Sequence, residues 1–296
     1  MGGSRAYRLE PGEPLPDGIT RVARGRIGHA IDELRGKSDS TPEQAVHEAR
    51  KDMKKLRALL GLARGELGEP AFARENACFR DAARELAGVR DADVMLATLK
   101  EFDMPAGVAR ELRRQLTDQH AERRADGREE PARRVVAILK EARGRIGDWP
   151  LGRDSFEAVA DGLERSYRRG RREFRAARGD PSTAALHQWR KRVKELWYHH
   201  TLLRCAWPPV MAAFGDQAHE LSDCLGDDHD LAMLAGWVAE NVGEEPELDE
   251  AVQRRRAQLQ GEAFALGERL YAEKPSAYLR RLERLWCAES ARVRAP

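Results

Sequence analysis

Residues 45–64 read AVHEARKDMKKLRALLGLAR, and 140 residues later 185–204 read ALHQWRKRVKELWYHHTLLR. Eight of the 20 paired positions are identical, among them a histidine, two arginines, two lysines and two leucines. That interval is too long for a solenoid, so duplication of a helical half is the simplest origin. Each copy carries its own start signal. Thr41 is placed to cap the first helix, with Pro42 at its first position and Gln44 completing a capping box. Asp180 and Pro181 are expected to play the matching parts ahead of the second. Downstream, LAGVRDADVML (86–96) and LGDDHDLAML (225–234) correspond at an offset of 139.

Helical spacing of Ala, Leu, Arg and Glu recurs almost throughout, while alternating β-branched runs are nearly absent, so the chain is read as all-α. Breaks are expected at GELGEP (65–70), GDWPLGRD (147–154), AWPPV (206–210) and VGEEPELD (242–249), giving about ten helices. The half boundary falls near Trp149 and Pro150, which divides the chain into a tail (1–17), a first half (18–149) and a second half (150–296).

On a helical wheel with His47 at zero, Arg50, Lys51 and Lys54 lie within about 60° of it. Val46, Ala49, Met53, Leu56, Leu59, Leu60 and Ala63 cluster opposite, as a buried face should. The second copy repeats the division, with His187, Arg190, Lys191 and Lys194 against Leu186, Trp189, Val193, Leu196 and Leu203. A solvated helix face interleaves signs for roughly 0.2–0.5 kcal/mol per pair, and like charges at the same spacing repel by similar amounts. Two cationic stripes without an acid at their centre therefore call for an anion.

Charge is segregated on a larger scale too. Overall, 52 Lys and Arg balance 50 Asp and Glu, so net charge names no partner. Yet 165–204 holds 12 basic residues against three acids, and 216–250 holds 12 acids and no Lys or Arg. Within the basic stretch Arg168, Arg171, Arg172 and Arg175 form a further stripe, and TRVARGRIGHAI (20–31) is its weaker first-half partner. Gly25 and Gly170 in these segments suit close helix or ligand approach.

Four dispersed cysteines, Cys78, Cys205, Cys224 and Cys287, argue against a zinc knuckle or disulfide framework. The longest aliphatic run, VVAIL at 135–139, is too short for a signal core or membrane span. A cytoplasmic protein is expected, with no cofactor, no metal and no membrane partner.

At the duplicated residues the sequence resembles the CHAD family, the conserved histidine α-helical domain. The resemblance rests on two copies of H-x-x-R-K-x-x-K, on YRRGRR (167–172) ahead of the second, and on Arg90-Asp91 and His229-Asp230 after them. It implies two four-helix-bundle halves related by a pseudo-twofold axis around a basic central cavity that binds inorganic polyphosphate. Association with polyphosphate granules and their proteins is implied as well. Carried over by motif, His47, Arg50, Lys51, Lys54 and Arg57 would line the cavity from the first half, and His187, Arg190, Lys191 and Lys194 from the second. Arg168, Arg171 and Arg172 would join them. Where the family's second motif commonly ends Leu-Arg-Tyr, this chain has Leu196-Trp197-Tyr198, which removes one phosphate contact. With about 18 residues ahead of the first helix, the triphosphate-tunnel domain that many family members carry there is not expected.

Two rival functions follow from the residues. Single-stranded nucleic acid also seeks a basic groove, but aromatics make up only 6% of the chain and the first stripe has none, leaving Trp197 and Tyr198 as its support. A metal-dependent phosphohydrolase would use Asp227, Asp228, His229 and Asp230, with His219 nearby. A capping cluster at a helix start is the preferred reading of those residues, as caps or ion pairs are for Asp91 and Asp230. His199-His200 is a poor ligand pair because adjacent helical side chains diverge. The expectation is binding without catalysis.

Overall fold

The computed structural model describes residues 6–86, 110, 114, 129–243 and 245–294. Nine α-helices and two short 3-10 turns occur among them, and no strand. In the first half these are α1 (Leu15–Leu34), α2 (Pro42–Leu62), α3 (Arg64–Glu85) and α4 (Glu129–Arg145). The second half has α5 (Glu157–Gly179), α6 (Thr183–Leu202), α7 (Pro208–Asn241), α8 (Pro246–Leu270) and α9 (Pro275–Arg294). Arg90 and Asp91 lie outside the described residues.

Local chemistry sets most of these boundaries. Thr41 Oγ1 accepts from the Gln44 amide at 3.3 Å and Gln44 Oε1 from the Thr41 amide at 2.9 Å, the capping box read from the sequence. The expected Asp180 cap is not used: Ser182 Oγ accepts from the Ala185 amide, so α6 begins two residues later. Pro181 thus lies outside the helix. GELGEP kinks rather than ends a helix, at Gly68, whose φ of 70° is left-handed and suits glycine.

The two repeat helices sit at the centre. α2 packs on α1 and α3, α6 on α5 and α7, and α2 also meets α5 and α6 directly. Their apolar faces behave as the wheel requires: Ala49, Met53, Leu56, Leu59 and Leu60 are fully buried, as are Trp189 and Val193, and Leu186, Leu196 and Leu203 nearly so. Each large aliphatic contributes about 1.5–3 kcal/mol of transfer free energy. One apolar cluster runs from Tyr7 to Leu282 through both halves. The segment expected as a tail belongs to it: Tyr7 and Leu9 are buried, Tyr7 donates to the Lys55 carbonyl at 3.0 Å, and the Leu9 amide donates to the Leu202 carbonyl at 2.9 Å. A smaller, separate cluster joins α7 to α8 through Leu231, Leu234, Val238, Leu248, Val252 and Leu259.

Candidate functional site, a basic cavity between the repeat helices

Because α2 and α6 turn their apolar faces into the core, their cationic edges converge beside α3, α5 and α7. They bound a cavity of about 750 Å³. From α2 come Arg50, Lys54 and Arg57, with Ala58 and Gly61; from α6 come His187, Arg190, Lys191, Arg192, Lys194, Glu195 and Tyr198. Arg165 and Arg169 of α5, Arg64, Phe72 and Asn76 of α3, and His229, Asp230 and Met233 of α7 complete the described wall. Ten Lys and Arg thus face two carboxylates, a local excess that attracts polyanions.

Seven of the twelve residues named from sequence line this cavity: Arg50, Lys54, Arg57, His187, Arg190, Lys191 and Lys194. The other five do not. His47 is half-buried on the first turns of α2, and Lys51 forms an ion pair with Glu48 at 2.9 Å, so an acid does meet the first stripe. The cavity-facing edge of α2 runs through Arg50, Lys54, Arg57 and Gly61, which centres it about 50° from His47 and about 90° from Lys51. On α5, Arg168 and Arg172 point outward and are matched by Glu164 and Glu173 at 2.7 and 2.6 Å. Arg171 is likewise off the cavity wall.

Arg165 and Arg169 take their place, and the sequence held the means of finding them. The buried side of α5 is Val159, Gly162, Leu163, Ser166, Gly170 and Ala177. On the wheel Arg168 falls opposite that side, whereas Arg169 flanks it and Arg165 lies one turn back on the same edge. Arg64, Arg192 and His229 were also missed as wall residues.

Fixed backbone contacts hold several of these cations. Arg50 Nη1 donates to the Leu86 carbonyl and Arg165 Nη2 to the Gly61 carbonyl, each at 3.0 Å, while Arg57 Nε donates to Asn76 Oδ1 at 2.9 Å. Arg64 pairs with Glu69 at 2.6 Å and lies 4.4 Å over the Phe72 ring; Arg192 pairs with Glu195 at 3.0 Å. The Arg190 guanidinium lies so close to Gly226 of α7 that a Cβ there would be 2.5 Å from Nη2. Glycine is what admits the guanidinium.

Crowding of like charge is visible in the proton affinities. Burial, then Arg64 and Arg169, depresses Arg165. Burial, followed by Lys191, His229, Arg190 and Lys54, pushes His187 down to about 4. The His187 and His229 rings face each other at 4.5 Å, and burial lowers His229 against the pull of Asp230. Both Nδ1 atoms are buried without a hydrogen-bond partner. Both rings thus hold a proton less readily than a free imidazole, and an approaching anion would favour their charged form.

The 227–230 cluster is not a helix start, since it lies inside the 34-residue α7. Asp228 is buried and accepts from Arg256 at 3.0 Å and Gln260 at 2.7 Å, tying α7 to α8. His219, ten residues earlier and so about 15 Å along the helix, pairs with Asp223 at 2.7 Å. Among the described residues no three His, Cys, Asp or Glu side chains group as a metal site requires. His199 and His200 are buried and bonded to the Ala58 carbonyl and the Tyr278 hydroxyl at 3.1 and 2.9 Å. Trp197 is off the cavity wall, its ring edge-on to His219 at 3.9 Å. No described helix is long and apolar enough to cross a membrane.

Comparison with known proteins agrees with this architecture. The CHAD domain family model matches residues 21–239. A CHAD domain structure from the plant Ricinus communis superposes with a TM-score of 0.60 at 17% identity, covering 95% of each chain. No curated protein matches the sequence. The family match spans well over half of the 296 residues, and on that ground the chain belongs to the CHAD domain family.

Proposed function

We propose that the cavity binds inorganic polyphosphate, and does so without catalysis. The observation that carries this reading is the convergence of cations from both repeat helices and α5 on one concave surface with two carboxylates. Guanidinium gives planar paired donors to phosphate oxygens and ammonium a mobile charge, and both stay ionised at neutral pH. An extended chain of phosphates offers one negative charge per unit, which suits a wall where charge repeats along α2 and α6 each turn. The same ligand would place the protein with polyphosphate granules.

The test is a titration with polyphosphates of defined length at several salt concentrations. Wild-type protein is compared with the Arg50→Ala, Lys54→Ala, Arg190→Ala, Lys194→Ala quadruple variant. The variant is expected to lose at least a hundredfold in affinity. Its salt slope should be shallower by roughly three, at about 0.7 per lost phosphate contact, with unchanged helical circular dichroism. Equal affinity in both proteins would remove the reading. Single-stranded RNA at matched salt is the competitor, and orthophosphate release in the presence of magnesium would replace binding alone with hydrolysis.

A further inference from the structure

The first half has a second basic concavity that shares no residue with the central one. It is a groove of about 980 Å³ between α1 and α4. Arg21, Arg24 and Arg35 enter it from α1 and the turn that follows, and Lys140 and Arg143 from α4. At 1.5 Å per residue, Arg21 to Arg35 spans about 21 Å, so the groove is long rather than round.

Many of the described arginines are matched with carboxylates, as Arg64, Arg134, Arg168 and Arg281 are. Here Arg21 is held by Glu13 at 2.6 Å, and Lys37 by Asp32 at 3.7 Å. Arg24, Arg35, Lys140 and Arg143 are exposed and form no ion pair among the described residues, although Asp17 and Asp32 also lie on the wall. Arg21 keeps a further donor, Nη1, buried without an acceptor.

Glycines form part of the wall: Gly25 and Gly28 of α1 and Gly144 of α4 line the groove, and a Cβ at Gly28 would lie 4.0 Å from Arg143 Nη1. Like charges gathered along a glycine-lined wall repel one another and leave an opening that an anion neutralises. Ile31 is the one apolar side chain on the described wall and no aromatic is present, so there is no platform on which a base could stack.

We infer that the α1–α4 groove is a second anion site, in which Arg24, Arg35, Lys140 and Arg143 hold a stretch of phosphate chain while the central cavity holds another. One molecule then bridges two chain segments. The ligand class rests on the proposed function of the cavity; the existence of the groove site does not.

The experiment uses tripolyphosphate, too short to span both sites, in calorimetric titration of the full chain. Wild type is expected to bind two equivalents. An Arg24→Gln, Lys140→Gln, Arg143→Gln variant should bind one, and the quadruple cavity variant should keep one. A charge-preserving Arg24→Lys, Arg143→Lys variant should keep two, which separates charge from fold. With long polyphosphate, wild type should raise light scattering, and the groove variant should bind with at least fivefold less scattering. Two equivalents retained by the groove variant, or none by the cavity variant, would overturn the groove site and leave the cavity reading standing. If instead the groove variant binds nothing, the cavity reading falls and the groove stands. A second equivalent of short single-stranded RNA in place of tripolyphosphate would overturn the phosphate-chain assignment.

Discussion

At the scale of single residues, the histidines tie the cavity to pH with two effects of opposite sign. The folded state holds His187 at about 4 and His200 at about 3, both well below the ordinary 6.5, and His199 and His229 move the same way. Between pH 6.5 and 4 the unfolded chain binds protons that the folded chain refuses, so stability falls as pH drops through that window. A polyanion beside His187 reverses the preference, because negative potential favours the imidazolium over the repulsion of Lys191, Arg190 and Lys54. From pH 7.5 to 5.5 the melting temperature of the free protein should therefore fall while affinity for polyphosphate rises. His187→Gln should flatten the affinity profile. An identical pH dependence in wild type and His187→Gln would show that the ring takes up no proton. The sequence exposed the residue but not its charge state, since periodicity locates a face and says nothing of what packs on it. The same blindness explains Lys51, whose neighbour Glu48 was visible as a residue but not as a partner.

At the scale of helices, the pattern was legible where burial decides it and opaque where close approach does. Alternation of apolar and cationic residues placed the core faces of α2 and α6, and the capping box fixed the start of α2. The start of α6 was misread because Asp180 and Ser182 are both good caps, and only the path of the backbone chooses between them. Glycine contacts are least legible. A Cβ on Gly162 of α5 would lie 2.1 Å from the Leu62 carbonyl oxygen and 2.7 Å from its Cα, and neither backbone can yield. α5 would have to move off α2, carrying with it Arg165 and its bond to the Gly61 carbonyl. Gly162→Ala should therefore cost about 3 kcal/mol or more, at the upper end of overpacking, and weaken anion binding as well. Gly261→Ala on α8, where nothing lies within 4 Å, should instead gain about 0.5–1 kcal/mol. Urea denaturation of the pair settles the matter: similar stabilities would mean that α5 and α2 are not in contact at Gly162.

At the scale of the whole molecule, charge and packing are distributed unequally, and dynamics should follow. Basic residues gather on α2, α5 and α6 around the central cavity and again between α1 and α4, while acids fill the stretch from Asp216 to Glu250 on α7 and the start of α8. α7 is about 51 Å long at 1.5 Å per residue, and its C-terminal part packs with α8 through an apolar cluster separate from the main core. Six buried side chains hold that cluster, against more than fifty in the main one, and Glu240, Glu245, Glu247, Asp249 and Glu250 repel one another around its turn. Such a unit opens at a lower free energy than the global transition. Amides of 234–256 should accordingly exchange with deuterium at least tenfold faster than those of α2 and α6. His229, Asp230 and Met233, at the root of this hairpin, form part of the cavity wall. A ligand that binds only the closed wall stabilises it by mass action, so saturating polyphosphate should slow exchange at 229–238 more than in α9, which contributes nothing to the described wall. Equal protection of the hairpin and α6 without ligand would show that the two clusters unfold as one. Slowing that is uniform along the chain would show that the hairpin root takes no part in binding.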